Sequence, residues 1–219
     1  MATNTMIGSG LYDASEVALL VGLAGDQVVR WSTDTQHGPA AVTPSFDRAF
    51  SFGDLIALTV ARQIRAAGVS DRHLRSGTAF LRERFQSHNP LSSHEAIERL
   101  ATSGNSFLLH ESDDQYDDIG QGGQGTFKDV VRIGLKRVEF DEAGGPHRWV
   151  PVDGVVIDPR IQAGAPCVSG TRLPTSVIAG RAIDEPLDDL AFDLGVELAA
   201  LEAAIRFEEL LHDGGGVPA

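Results

Sequence analysis

The chain has 219 residues, 42% of them hydrophobic and 22% charged, with one cysteine and a formal net charge of −13. That size suits one large domain or two small ones, and a single cysteine excludes an intramolecular disulfide framework and fits a reducing cytoplasm. No apolar run reaches the roughly 18 residues that a membrane span needs, and the opening MATNTMIGSG lacks the charged start and apolar centre of a secretion signal, so a cytoplasmic protein is expected.

The acid is unevenly placed. Residues 1–100 carry nine basic and ten acidic side chains, residues 101–150 five and nine, and residues 151–219 four and twelve. Residues 62–84 run the other way, with six arginines against Asp71 and Glu83. A nucleic-acid contact would have to use the N-terminal part, while the C-terminal part would repel phosphate and attract a basic protein.

In chain order, Asp13 or Ser15 caps a first helix that carries Val17, Leu20 and Val21 on one face and stops at Gly22. Residues 26–32 give a second short helix, so the pair reads helix, short turn, helix. Between 33 and 51 the breakers His37-Gly38-Pro39 and Pro44 rule out a helix, and a β-hairpin wing with strands near 40–42 and 48–50 is expected. Ser51 caps a longer helix near 53–67, and Ser70-Asp71 caps another near 71–86 that buries Leu74, Ala79, Leu81 and Phe85. Asn89-Pro90 is a firm break.

This order resembles the MerR-type winged helix-turn-helix over about residues 11–85. The resemblance rests on Tyr12-x-x-Ser15-Glu16-Val17-Ala18, on a second helix ending in Arg30-Trp31, on Ser51-Phe52-x-Asp54-Leu55-Ile56-Ala57-Leu58, and on Gly68-Val69-Ser70. It implies operator DNA as a partner, with the second helix entering the major groove and Gly25, Asp26 and Gln27 near base edges. Gln27 can pair bidentately with adenine, whereas Asp26 repels phosphate. Arg30 and Trp31 suit backbone contacts, Arg48 a contact from the wing, and Arg65, Arg72 and Arg75 phosphate contacts from the flank. The bland alternative makes Trp31 core and the arginines a solvated face.

Residues 106–110 and 115–119 suit a strand pair across an acidic turn. Residues 127–138 fit helical spacing through Phe127, Val131, Leu135 and Val138, and an extended reading through Phe127, Val131, Ile133 and Leu135; helix followed by strand is the expectation. A small sheet from 138–140, 148–150 and 155–157 follows. Beyond Pro174 three helices are expected, near 175–183, 187–194 and 197–211.

Several apparent sites carry little. Gly120 to Gly125 matches G-x-G-x-x-G literally but follows Asp117-Asp118, not a buried strand, and reads as a loop. Asp113, Asp114, Asp117 and Asp118 lack the Gly and terminal Glu of an EF-hand. The seven histidines include no His-x-x-x-His pair, and no Ser-His-Asp set can be assigned. No enzyme, catalytic residue, metal or cofactor is expected, and Cys167 reads as a small buried filler.

The densest pattern is residues 155–173, VVIDPRIQAGAPCVSGTRL. Gly and Pro at these points set backbone geometry, so the loop is rigid. Asp158 beside Pro159 can cap the turn, and Thr171 can bond nearby backbone. The skeleton Asp158-Pro159…Gly164-x-Pro166…Gly170-Thr171-Arg172 resembles the DUF433 family over roughly residues 150–211, with Ala165 where a second Gly is usual. Members are small helix-turn-helix modules encoded beside PIN-like ribonuclease toxins and taken to be their antitoxins.

By that resemblance the chain is a mainly α-helical α+β protein. It divides into a winged helix-turn-helix at 1–90, a mixed connecting segment at 91–150 and a DUF433 domain at 151–219. The implied function is the antitoxin of a VapBC-like type II pair, neutralising a PIN-like toxin and repressing its own operon as a homodimer or toxin–antitoxin hetero-oligomer. Arg172 would fork onto the toxin's carboxylate cluster, Asp188, Asp189 and Glu197 would steer a basic toxin, and Phe207 would belong to the apolar contact. The rival is a MerR-like transcription regulator without a toxin.

Overall fold

The structure, a computed structural model, describes residues 8–112, 115–122, 124, 125, 129–214 and 216. It opens with four helices, α1 (Ala14–Val21), α2 (Gly25–Trp31), α3 (Phe52–Ala66) and α4 (Asp71–Phe85), followed by the short α5 (His94–Arg99). Asp13 closes a capping box with Glu16 at the start of α1, Ser51 and Asp54 do the same for α3, and Ser70 caps α4. Each cap satisfies N–H groups that a helix start leaves open.

Strands β1 (Leu100–Ser103), β2 (Ser106–Ser112), β3 (Gln115–Asp118), β4 (Gln124–Gly125) and β5 (Val131–Arg132) form an antiparallel sheet in the order β4-β3-β2-β1-β5. A second antiparallel sheet runs β6-β7-β8-β9, from β6 (Val138–Phe140), β7 (Pro146–Val152), β8 (Val155–Ile157) and β9 (Cys167–Val168). Three helices end the chain, α6 (Thr175–Arg181), α7 (Leu187–Leu194) and α8 (Leu198–His212).

Two expectations need correction. Residues 129–138 hold no helix, and Phe127 and the Asp113-Asp114 turn lie outside the described residues. Val131 and Arg132 pair instead with the free edge of β1, and the Ile133 N–H donates to the Leu100 carbonyl at 2.9 Å, which buries Ile133. The β-branched residues thus took the extended option because an unpaired edge was there to receive them.

No wing forms either. Between α2 and α3 there are only isolated bridges, Thr35–Gly38 and Phe46–Ala49, while Phe50 bridges Tyr12. Ala40, Ala41 and Val42 are buried, not held out as a hairpin. Side chains from the helices bind this loop's backbone. Arg75, only 3% exposed, donates to the carbonyls of Arg30, Thr33 (3.0 Å), Gly38 (3.3 Å) and Pro39 (2.7 Å), and Arg82 donates to Ala41 at 3.0 Å. The buried carboxylate of Asp54 accepts from Ser45 and Ser51 N–H groups and from Asn89, which also pairs with the Thr43 backbone.

The main core runs from Tyr12, Trp31 and Phe52 through Phe107 and Trp149 to Phe207 and Leu211. A smaller cluster of Val168, Ile178, Leu190, Leu201 and Ala204 lies inside the last three helices. Strand β7 crosses the expected boundary at 150/151, and β8 and α8 contribute to the main core, so the C-terminal unit is built into the rest. The result is a mixed α and β fold with eight helices and two antiparallel sheets among the described residues.

Candidate functional site

Three surfaces follow from the sequence-predicted residues. The first is the α1–α2 pair. Gln27 is half-buried and Arg30 exposed, but Trp31 is fully buried and its Nε1 donates to Asp71 Oδ1 at 3.3 Å. Arg65 Nε lies 2.7 Å from the same oxygen and Arg30 Nε 3.7 Å from Asp71 Oδ2. One carboxylate thus holds Trp31, Arg30 and Arg65, so Trp31 is corrected to a core residue. Arg48 and Arg72 are exposed and make no ion pair among the described residues, though Arg48 sits in the Phe46–Ala49 turn and not on a wing.

The second is the motif loop, where sequence and geometry meet closely. Asp158 is 6% exposed and receives Arg160 through its backbone N–H (2.9 Å), Nε (2.9 Å) and Nη2 (2.7 Å). The bonds from Arg160 hold its carboxyl below the usual range. Gly164 has φ +95, and a Cβ there would come within 2.2 Å of the Tyr12 hydroxyl. The Pro166 carbonyl accepts from the Thr175 N–H at 2.9 Å. Thr171 Oγ1 donates to Val168 and accepts from the Leu173 N–H, closing the turn at Gly170. Cys167 is fully buried and burial pushes its thiol up, which suits an inert filler. The motif residues are scaffold. Arg172 is exposed and makes no ion pair among the described residues.

The third is the outer face of α7. Its inward positions Leu190, Ala191 and Leu194 follow helical spacing onto the smaller core, and Leu187 is half-buried on the same side. Asp188, Asp189 and Phe192 face out, and Phe192 is 88% exposed. Asp188 and Asp189 lie one turn before Phe192, so the ring has two carboxylates as its helix neighbours. Ile183, in the link before α7, is 81% exposed, and Val177 and Leu198 are also exposed. Four of the nine large exposed hydrophobics among the described residues therefore fall within 177–198, together with the exposed acids Asp184, Asp188, Asp189, Asp193 and Glu197. Phe207 is 1% exposed on the inward side of α8 and cannot touch a partner; it is corrected to core. Phe192 is the residue that sequence reasoning passed over. The signal was present, since spacing 187, 190, 191, 194 leaves 192 on the acidic side.

No helix among the described residues is long and apolar enough to cross a membrane. No curated protein sequence matches the chain. Its fold is similar to that of Rv2018 from Mycobacterium tuberculosis, solved by X-ray crystallography, at 18% identity and a TM-score of 0.60, covering 89% of this chain and 96% of that one. Residues 155–207, which hold the motif loop and most of the three-helix unit, match the family described as a protein of unknown function, DUF433.

Proposed function

We propose that this chain is a non-catalytic partner-binding regulator, most concretely the antitoxin of a type II toxin–antitoxin pair. In this reading its C-terminal helices hold a basic PIN-like ribonuclease. The observation that carries it is Phe192, 88% exposed between carboxylates. Leaving a phenyl ring in water forgoes about 2 kcal/mol of burial, and an aromatic anchor with an acidic surround suits a pocket rimmed by Lys or Arg. The same acid disfavours DNA on this face. Asp188, Asp189 and Glu197 steer the partner, Phe192 and Ile183 enter it, and Arg172 lies exposed at the motif loop's exit for a carboxylate.

Autorepression is the second part of the proposal. It draws support from the α1–α2 pair joined by a three-residue turn, Gly22 to Ala24, and from Gln27, Arg48 and Arg72. The same pair favours the rival reading, a transcription regulator with no toxin. Co-expression with the adjacent reading frame separates them. A complex that rescues growth, and that Phe192→Ser or Asp188→Lys/Asp189→Lys weakens by about tenfold or more, supports the antitoxin. Absence of both complex and rescue, with operator binding intact, leaves the rival standing.

A further inference from the structure

Where α1, the motif loop and α8 meet there is a cavity of about 300 Å³, lined in part by Leu11, Leu19, Gln162, Ser176 and Glu208. Leu11 and Leu19 are 45% and 41% exposed, so one wall is apolar and open to solvent. The lining holds two carboxylates, Glu16 and Glu208, and no basic side chain. Glu16 stands at the rim, where it already accepts from the Asp13 N–H at 2.8 Å.

Glu208 is different. It is 9% exposed, Oε1 is bonded to the Thr175 hydroxyl, and no basic side chain pairs with its carboxylate among the described residues. It also lines a second, wider cavity of about 690 Å³ at α6 and α8, beside Ile183, Glu209, His212 and Asp213. A buried carboxylate without a cation carries a desolvation cost that a neighbouring positive charge offsets. The smaller cavity has carboxylates and no basic side chain in its lining, so anions are repelled and cations drawn in.

We propose that the smaller cavity binds an organic cation, an ammonium or guanidinium group on a short apolar stem. The charge sits at Glu208 and the stem lies along Leu11 and Leu19. The volume is at the small end of ligand pockets, which span about 300–1,000 Å³, and this fits a stem of a few carbons. A free amine and a Lys or Arg side chain share this chemistry.

The test titrates hexylammonium chloride and 1-hexanol, which share a stem and differ in charge, into the full chain by calorimetry. Hexylammonium is expected to bind about tenfold more tightly, as a charge-assisted bond to a carboxylate allows. Glu208→Gln keeps an acceptor for Thr175 and removes the charge, and should bring that ratio near one while leaving hexanol binding unchanged. Leu19→Lys, at an exposed rim position, tethers a competing cation and should weaken hexylammonium about fivefold. It tests the site even where the Glu208 variant does not fold. Equal binding of the two probes by the wild type, or a ratio that survives in both variants, overturns the proposal. A lysine-bearing tripeptide, acetyl-Leu-Lys-Leu-amide, then identifies the source. Competition with hexylammonium assigns the site to a partner's side chain, its absence to a free amine, and either result upholds the cation site.

Discussion

The Tyr12 hydroxyl donates to the Gly164 carbonyl at 2.8 Å, joining residues 152 positions apart. Beside it the Leu11 N–H donates to the Ala163 carbonyl at 3.0 Å. Burial, with help from the charges of Glu16 and Asp158, raises the Tyr12 phenol well above its ordinary range, so it stays a donor at every physiological pH. These two bonds seat the motif loop on the start of α1. They also explain a glycine in the motif, because a side chain at 164 would occupy the position of the Tyr12 oxygen.

Gly164→Ala should therefore cost about 2–4 kcal/mol, from a positive φ and a clash together. Gly170→Ala has a similar φ of +78 but nothing within 4 Å of the new Cβ, and should cost about 1 kcal/mol. Tyr12→Phe should cost about 1–2 kcal/mol for the lost buried bond. Urea denaturation of the three variants gives the ranking. Equal losses at Gly164 and Gly170 would show that backbone conformation alone, and not Tyr12, selects glycine.

Arg75 is expected to be a stability residue, not a phosphate ligand. Removing its fork takes the shared donor from four backbone carbonyls, those of Arg30, Thr33, Gly38 and Pro39, so Arg75→Ala should destabilise by about 3 kcal/mol. Arg75→Lys should recover little, since an ammonium cannot reproduce the planar fork. Arg72→Ala, an exposed substitution on the same helix, should stay within about 0.5 kcal/mol. Thermal unfolding measured by circular dichroism checks all three.

Asp71 restrains the basic residues expected to meet DNA. Asp71→Ala frees Arg30 and Arg65 and removes the acceptor for Trp31 Nε1. Stability should fall by about 1–2 kcal/mol, and the change should appear in Trp31 fluorescence. Binding to unspecific duplex DNA at low salt should rise, with a steeper salt dependence. A gel-shift series in which the variant binds no more tightly than the wild type would remove these arginines from any DNA interface.

Asp158 makes the fold acid-sensitive in a defined direction. Its native pKa lies below the ordinary value because the ionised form is held by Arg160. A depressed carboxyl stabilises the fold above its unfolded pKa of roughly 3.9, and that contribution is lost as pH falls through the lower native value. Asp158→Asn should thus be less stable than wild type at pH 6, and the gap should narrow on going to pH 3. Urea midpoints at the two values test it; a gap that stays constant would mean the carboxylate's charge is not what the loop uses.

Much of the chain was legible in advance because its signals are local. Caps at Asp13, Ser51 and Ser70 gave helix starts, and Leu187 to Leu194 gave α7 without error. The strands near 106–110, 115–119, 138–140 and 155–157 were readable from alternation and turns. The short α5 carried too weak a pattern to be named. The stretch 33–51 misled because its breakers exclude a helix equally well for a wing and for a loop held down by distant side chains. Periodicity says nothing of Arg75, Arg82, Asp54 or Asn89 reaching across to that loop.

The sequence alone determined where the capped helices start, which turns Gly and Pro place in the motif loop, and that negative charge gathers at the C-terminal end. These depend on neighbours a few residues apart. Tertiary structure alone decided which arginines are held by Asp71 or by loop carbonyls, why position 164 has room only for glycine, and which apolar residues of the last helices are left out. Phe192 and Phe207 are both aromatic residues on short amphipathic helices. One enters the core and the other stands in solvent because packing against the sheets and α1 gives α8 a second buried side, and among the described residues α7 has no such neighbour on its outer face.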